Sequence, residues 1–302
     1  MTAGRPSLAS WVDPPVSAVR EVVARALAED LEPLGDVTAA LLDPATTGTA
    51  ALVARAAGVV AGRLAATCAF DAVDGSIEID WRVPDGTTVA PGQTIATVSG
   101  PLAAILTAER TALNLLCHLS GVATLTARFV AAAPGAQIWD TRKTTPGLRA
   151  LEKAAVRAGG GANHRGNLSE WVLLKDNHLA ALGVPEAVRL ARSRWPGRTI
   201  QVEADRIEQL EEAMTAGADI VLLDNMSLDE VDRCVALRGG ATRPLLEVSG
   251  GVDLETVGAI AATGVDLISV GALTHSAPVL DIGLDIDATP PMPPTPPATN
   301  EA

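Results

Sequence analysis

Apolar positions along the chain change rhythm three times. Residues 17–42 carry helical spacing, which predicts an opening helix, and 50–64 alternates as strands do. Across 77–100, β-branched runs are cut by Pro84-Asp85-Gly86 and Pro91-Gly92, turn chemistry that predicts a strongly β segment. A helix then starts at Leu102 or Thr107 and runs through His118. Leu113, Leu116 and, beyond an interruption at Ser120-Gly121, Leu125 keep to its spacing.

Strand and helix alternate from there on. Candidate strands cover 137–141, 171–175, 199–203, 219–224, 245–249 and 266–271, with amphipathic stretches at 148–158, 185–194, 207–216 and 254–263 between them. Several of those stretches close on glycine, as helices often do. Six such repeats predict parallel strands with crossover helices. No G-x-G-x-x-G turn follows an early strand, so an (α/β) barrel is favoured over an open dinucleotide-binding sheet. The final stretch, 289–302, is proline-rich and low in complexity; it is expected to be disordered or polyproline-like.

Composition sharpens this picture in two places. Aromatic residues make up 2% of the 302-residue chain and tyrosine is absent, so the core must be aliphatic. The net charge of −13 argues against a general nucleic-acid or anionic-membrane binder, because those partners need a basic face. From Asp140 to Lys175 the balance reverses, with seven basic residues against three acidic ones. All three lysines, Lys143, Lys153 and Lys175, lie in that stretch, although the twenty arginines are spread from end to end. A local positive pocket in an acidic body suits a small polyanion. Lys153 falls inside a helix-like run and is expected on a solvated face, whereas Lys143 and Lys175 each follow a buried-strand pattern.

Cys68, Cys117 and Cys234 are widely spaced, without a CxxC or CxxH pattern, and read as reduced structural thiols. Residues 1–15 hold no apolar core of signal-peptide length, and no unbroken run of about 18 apolar residues occurs, so a cytoplasmic location is expected.

Barrel enzymes set their working groups at the C-terminal ends of the strands. Here those ends read Thr141-Arg142-Lys143, Lys175-Asp176-Asn177-His178, Glu203, Asp224-Asn225, Ser249-Gly250-Gly251 and Gly271-Ala272. Glycines after the last two strands would let backbone N–H groups approach a phosphate. Glu203 and Asp224 could accept ribose hydroxyls or hold Mg²⁺. Arg142, Lys143 and Lys175 would face them. The loop Gly159-Gly160-Gly161-Ala162-Asn163-His164-Arg165-Gly166, expected to be flexible, would bring His164 and Arg165 to the same mouth. A rival reading makes Lys175 at its strand end the Schiff-base amine of an aldolase, although beyond Leu173 and Leu174 the sequence offers little apolar surrounding to activate it. A binding relative that has lost catalysis is the non-enzyme alternative.

Two resemblances bear on the choice. Val83-Pro84-Asp85-Gly86 with Val89-Ala90-Pro91-Gly92-Gln93 resembles the hairpin turns of biotinyl and lipoyl carriers, but the hairpin tip has no lysine to modify, so the segment is read as structural. The second is far more specific. Glu109-Arg110-Thr111-Ala112-Leu113-Asn114, His118-Leu119-Ser120-Gly121, Asp140-Thr141-Arg142-Lys143-Thr144, Gly159-Gly160-Gly161 with Asn163-His164-Arg165, Leu174-Lys175-Asp176-Asn177-His178, Leu222-Leu223-Asp224-Asn225, Ser249-Gly250-Gly251 and Val270-Gly271-Ala272-Leu273-Thr274 occur in order. Together they resemble the quinolinate phosphoribosyltransferases over roughly residues 15–287.

That resemblance implies an α/β fold with an N-terminal α/β sandwich (hammerhead-like) domain at 1–115, completed by a return segment at 281–288. It further implies an incomplete (α/β) barrel of six or seven parallel strands at 116–280. The implied reaction condenses quinolinate with phosphoribosyl pyrophosphate, with Mg²⁺, to nicotinate mononucleotide, CO₂ and pyrophosphate. By the same token Arg110, Arg142 and Arg165 match quinolinate-binding positions, Arg110 reaching across from a partner subunit of at least a homodimer, with a hexamer as the larger option. Lys143, His164 and Lys175 match positions near the carboxylates and pyrophosphate, with Thr141 beside them. Glu203 and Asp224 match the ribose and Mg²⁺ ligands, and Ser249, Gly250, Gly251, Gly271 and Ala272 match the 5′-phosphate loops.

Overall fold

Proline sets the first boundary. The computed structural model describes residues 13–287, and the proline-rich segment 289–302 lies outside the described residues. Helix α1 (Val16–Leu31) buries Val19, Val23 and Leu27 on one stripe and stops before Pro33, which offers no N–H to continue it. The helix expected to reach residue 42 is therefore shorter, and only a single 3₁₀ turn at Ala39–Leu41 follows.

Strands β1 (Thr47–Ala54) and β2 (Gly58–Val59) fill the next alternating stretch. The following helix α2 (Arg63–Val73) escaped the sequence pattern because Ala65, Ala66, Ala69 and Phe70 bury a face made mostly of methyl groups. Next come β3 (Glu78–Trp81), β4 (Thr88–Val89) and β5 (Thr94–Pro101). β1, β5 and β3 form an antiparallel sheet, and α1, α2 and the next helix pack with it as a sandwich.

That next helix, α3 (Leu102–Ala132), runs unbroken through the expected Ser120-Gly121 interruption and through the 115/116 boundary. Both residues are contact positions. Ser120 Oγ accepts from the Ala61 N–H at 3.0 Å, and a Cβ on Gly121 would lie 2.1 Å from the Pro278 carbonyl oxygen. A mid-helix glycine costs about 1 kcal/mol relative to alanine, so the close crossing of another chain segment explains its presence. By length and composition α3 is apolar enough to cross a membrane, with a mean hydropathy of 1.4 in its most apolar window. In the fold it is the central helix of the core, burying Ile105, Leu116, Leu119, Val122 and Phe129.

The second half repeats strand and helix. It comprises β6 (Gln137–Trp139), α4 (Arg149–Ala158), β7 (Val172–Leu174), α5 (Asp176–Leu182), α6 (Val184–Arg194), β8 (Ile200–Ala204), α7 (Ile207–Ala216), β9 (Ile220–Asp224), α8 (Leu228–Arg238), β10 (Leu245–Ser249), α9 (Val257–Ala262), β11 (Leu267–Ser269) and the one-turn α10 (Ala272–His275). The six strands are parallel in the order β6-β11-β10-β9-β8-β7. Followed around, that is chain order with one open seam between β6 and β7, so the sheet is an incomplete (α/β) barrel. Residue 162 partly fills the seam: Ala162 N–H donates to Ile138 O at 2.8 Å and Ala162 O accepts from Asp140 N at 3.2 Å.

The chain then returns. Strand β12 (Ile282–Asp287) pairs antiparallel with β1 and completes the N-terminal sheet as β12-β1-β5-β3, with Leu52 opposite Leu284. The Arg55–Asp285 ion pair pins it from the side.

Candidate active site

All six strand ends meet around one cavity of about 760 Å³. Its lining contains Thr141, Arg142, Lys143, His164, Arg165, Lys175, Glu203, Asp224, Ser249, Gly250, Gly251, Gly271 and Ala272, every expected site residue except Arg110. Arg110 stands on α3 with its side chain 67% exposed, near Glu109 at 3.9 Å and outside the cavity of its own chain.

The cationic wall is built on buried supports. Asp140, fully buried at the end of β6, accepts at Oδ1 from the His164 N–H (2.9 Å) and from Lys153 Nζ, and at Oδ2 from Asn163 Nδ2 (2.6 Å). Lys153 Nζ also donates to the His164 carbonyl at 2.8 Å. The Asp140–Lys153 pair thus grips the main chain of His164 on both sides. Lys153, expected on a solvated face, is 7% exposed; its helix α4 buries the face that holds it, because a carboxylate waits inside for its charge. Burial raises the Asp140 carboxyl and lowers the Lys153 ammonium, and each opposes the shift of the other.

The glycine loop is packed as well. A Cβ on Gly159 would lie 2.4 Å from Ala123 O, and one on Gly161 2.7 Å from Thr126 Cγ2. These glycines serve close approach to α3, which corrects the expectation of a flexible loop.

His164 sits between two indoles, 5.7 Å from Trp139 and 4.8 Å from Trp171 by ring centroid. Burial, then the Lys153 and Arg165 charges, push its imidazole down to about 3, so it is neutral at physiological pH. Arg142 and Arg165 each keep a buried Nε without any hydrogen-bond partner. An orphaned buried donor costs about 1–3 kcal/mol; Arg63 and Arg238 carry one too, but only Arg142 and Arg165 bring theirs, with two cationic forks, to the cavity wall. Burial and the neighbouring Arg142 lower the Arg165 guanidinium.

Across the cavity, Lys175 Nζ donates to Glu203 Oε2 at 2.6 Å, and Asp224 Oδ2 accepts from Asn225 Nδ2 at 2.8 Å. Asn225 has a left-handed backbone (φ 55°) and its Oδ1 stands where a Cβ on Gly250 would be, 2.2 Å away. Gly250 (φ 101°) and Gly251 (φ 59°) are both left-handed, a backbone conformation that after β10 suits an anion-binding turn of backbone N–H groups. Gly271 is wedged between Lys143 and His275, with a Cβ falling 3.0 Å from Lys143 Cδ and 3.1 Å from His275 Nε2. Thr274 Oγ1 donates to Lys143 O at 2.7 Å and fixes that loop.

Sequence reasoning named Asn225 at a strand end without giving it a role, and missed Glu247, Ser269 and His275 as lining residues. Asn225 was legible, because asparagine just past a strand is the commonest non-glycine answer to a left-handed turn. Glu247 and Ser269 lie inside strands, where a polar side chain facing a barrel interior needs the register to be seen.

Comparison with known proteins places this geometry. Residues 36–120 match the family model for the quinolinate phosphoribosyl transferase N-terminal domain, and residues 122–285 match the model for its C-terminal domain. A carboxylating nicotinate-nucleotide pyrophosphorylase of Mycobacterium leprae is 46% identical over 276 residues, covering 89% of this chain and 97% of the relative. A probable enzyme of the same name from Bacillus subtilis is 42% identical over 256 residues, covering 83% and 88%. The nicotinate-nucleotide pyrophosphorylase structure from Francisella tularensis superposes with a TM-score of 0.87 at 38% identity, covering 91% of this chain and 98% of that one. Two matched halves in the right order, with relatives up to 46% identical over nearly their whole length, make this chain a member of the quinolinate phosphoribosyltransferase family.

Proposed function

We propose that the cavity joins quinolinate to phosphoribosyl pyrophosphate and releases CO₂ and pyrophosphate, leaving nicotinate mononucleotide for NAD synthesis. One observation carries the reading: Arg142 and Arg165, each with a buried and unpartnered Nε atom, share a cavity with a pair of left-handed glycines. A planar dicarboxylate suits forked guanidiniums, and a phosphate suits convergent backbone N–H groups.

In this reading Arg142 and Arg165 bind the quinolinate carboxylates, and Arg110 of one protomer completes the site of its partner in a homodimer or a larger assembly. Thr141 Oγ1 accepts from the Lys143 N–H at 3.0 Å and shapes that turn. Lys143, His164 and Lys175 face the carboxylates and the pyrophosphate. Ser249, Gly250, Gly251, Gly271 and Ala272 receive the 5′-phosphate. Glu203 and Asp224 hold the ribose hydroxyls and Mg²⁺. Two carboxylates are too few for a protein-only site, and among the described residues no group of three or more His, Cys, Asp and Glu could hold a metal ion. That donor set fits Mg²⁺, which takes one or two carboxylates and completes its shell with water and substrate oxygens. When bound, the ion would add positive charge beside the departing pyrophosphate.

As pyrophosphate leaves, positive charge develops at C1 of the ribose while Lys143 and Lys175 stabilise the leaving anion. The quinolinate nitrogen, held in line by the arginines, bonds to C1, and positioning supplies much of the rate. The resulting pyridinium withdraws electrons from C2, and the carboxylate there is lost as CO₂. A Schiff-base role for Lys175 fits less well, because its Nζ is engaged by Glu203. No nucleic acid or membrane enters this reading, and the cytoplasm is its setting.

The test is product absorbance and labelled CO₂ release from carboxyl-labelled quinolinate with phosphoribosyl pyrophosphate and Mg²⁺. Nicotinic acid should fail, since it lacks the carboxylate lost in the reaction. Turnover of nicotinic acid at the quinolinate rate, or no CO₂ from quinolinate, overturns the reading.

A further inference from the structure

Glu247 is a carboxyl on the cavity wall that the phosphoribosyl transfer leaves without a role. It lines the cavity although it is 0% exposed, and its surroundings differ from those of Asp140. From β8, Gln201 Nε2 donates to its Oε2 at 2.6 Å. From β11, Ser269 Oγ hydrogen-bonds its Oε1 at 2.5 Å. From the segment before β7, His164 Nε2 stands 3.7 Å from Oε1. On β9 the residue in register is Leu222, which carries no charge.

The polarity of this network is fixed. Trp171 Nε1, which can only donate, contacts Gln201 Oε1 at 3.0 Å, so the Gln201 NH₂ must face Glu247. The nearby lysines are engaged elsewhere, Lys153 by Asp140 and Lys175 by Glu203. Asp140 is buried with a lysine; Glu247 is buried with uncharged groups. Burial pushes the Glu247 carboxyl up to about 7, with Ser269 and then Gln201 opposing, while His164 beside it is pushed down to about 3. Of the two, Glu247 is the group that holds a proton near neutrality. A dicarboxylate bound above would favour that neutral form further.

The reaction read above needs one proton that transfer does not supply. As the C2–carboxylate bond breaks, its electron pair stays on C2 beside the pyridinium nitrogen and can return to the CO₂ still held there, so CO₂ is released only once a proton captures that pair. We propose that Glu247 is the acid that protonates C2: its O–H bond breaks, the new C–H bond forms, and solvent reprotonates the carboxylate through the open cavity. This rests on the quinolinate reading, and the two can fail separately.

Glu247→Gln keeps the shape and the neutral charge but has no acidic proton to transfer. In a single turnover with carboxyl-labelled quinolinate, the variant should release pyrophosphate within a few-fold of the wild-type rate. Its CO₂ release should slow by about 100-fold or more, the low end for loss of a general acid. Ser269→Ala removes the hydrogen bond that most opposes the upward shift, so the alkaline limb of kcat should move to higher pH. Quinolinate binding, followed by tryptophan fluorescence, establishes that each variant is folded. CO₂ release at the wild-type rate in Glu247→Gln, an equal slowing of both products, or an unmoved limb in Ser269→Ala overturns the proposal. Absence of any wild-type turnover on quinolinate would overturn the substrate reading instead.

Discussion

Replacing Asp140 by asparagine separates the support of the cavity from its chemistry. Asp140 touches no substrate in this reading, yet its carboxylate meets Lys153 Nζ, the His164 N–H and Asn163 Nδ2. With asparagine, an NH₂ group would face the Asn163 NH₂. Asn163 has no free flip, because its Oδ1 already accepts from Arg157 Nη1 at 2.5 Å. Lys153, 7% exposed, would lose its counter-charge. Breaking one partner of a buried pair costs about 3–5 kcal/mol. At about 2.1 cal/mol/K of unfolding entropy per residue, a 302-residue chain shifts by roughly 1.6 °C per kcal/mol, so the melting temperature should fall by about 5–8 °C. The quinolinate KM should rise about 10- to 100-fold, the equivalent of one hydrogen bond to a charged group, as His164 and Arg165 lose their fixed main chain. Asp140→Asn combined with Lys153→Met removes the stranded charge, so part of the lost stability should return while the high KM persists. Thermal unfolding and initial-rate kinetics on the three proteins decide it. A single variant within about 1 kcal/mol of wild type, or a double variant with a normal KM, refutes the clamp.

Lys175→Ala should lower kcat severely, because it removes the partner of Glu203 and the ammonium proposed to face the pyrophosphate; near-normal turnover in a steady-state assay would contradict its role. Gly159→Ala would set a Cβ 2.4 Å from a backbone oxygen of α3 and should destabilise by roughly 1–3 kcal/mol in urea titration. Acid behaviour follows from two opposed shifts. His164, lowered from 6.5 to about 3, contributes stability that is present above 6.5 and lost as pH falls toward 3. Glu247, raised from 4.5 to about 7, contributes stability that is full below 4.5 and lost as pH rises through 7. Between 4.5 and 6.5 the slopes oppose each other, so Glu247→Gln should expose the His164 slope of about 1.4 kcal/mol per pH unit. Parallel urea midpoints for variant and wild type across that window would refute it.

The strand ends were legible because parallel strands put their chemistry where the apolar run stops, and this rule needs no knowledge of neighbours. Thr141, Arg142, Lys143, Lys175, Glu203, Asp224, Ser249, Gly250, Gly251, Gly271 and Ala272 follow from that rule, His164 and Arg165 came from the loop between two strands, and the cavity gathers them all. What the sequence hid depends on contact. Lys153 looks like any lysine in an amphipathic helix until Asp140 is seen beneath it. Gly121 and Gly159 resemble breaks until the crossing backbone is seen against them. Helix α2 was missed for a related reason: its buried face is mostly alanine, and only its packing against α1 and α3 shows that face to be core.

The last strand carries a consequence for how the protein is made. Arg55, at the end of β1, pairs with Asp285 in β12, 230 residues later. At about 5–20 residues per second of synthesis, roughly 10–50 s separate the emergence of one from the other. Through that interval the N-terminal sheet leaves the ribosome with a bare edge, and the apolar α3 beneath it lacks the strand that closes its flank. Nascent chains of this protein should therefore depend on chaperones until termination, and a stop codon just before β12 should yield an aggregating product even though every cavity residue would already have been made.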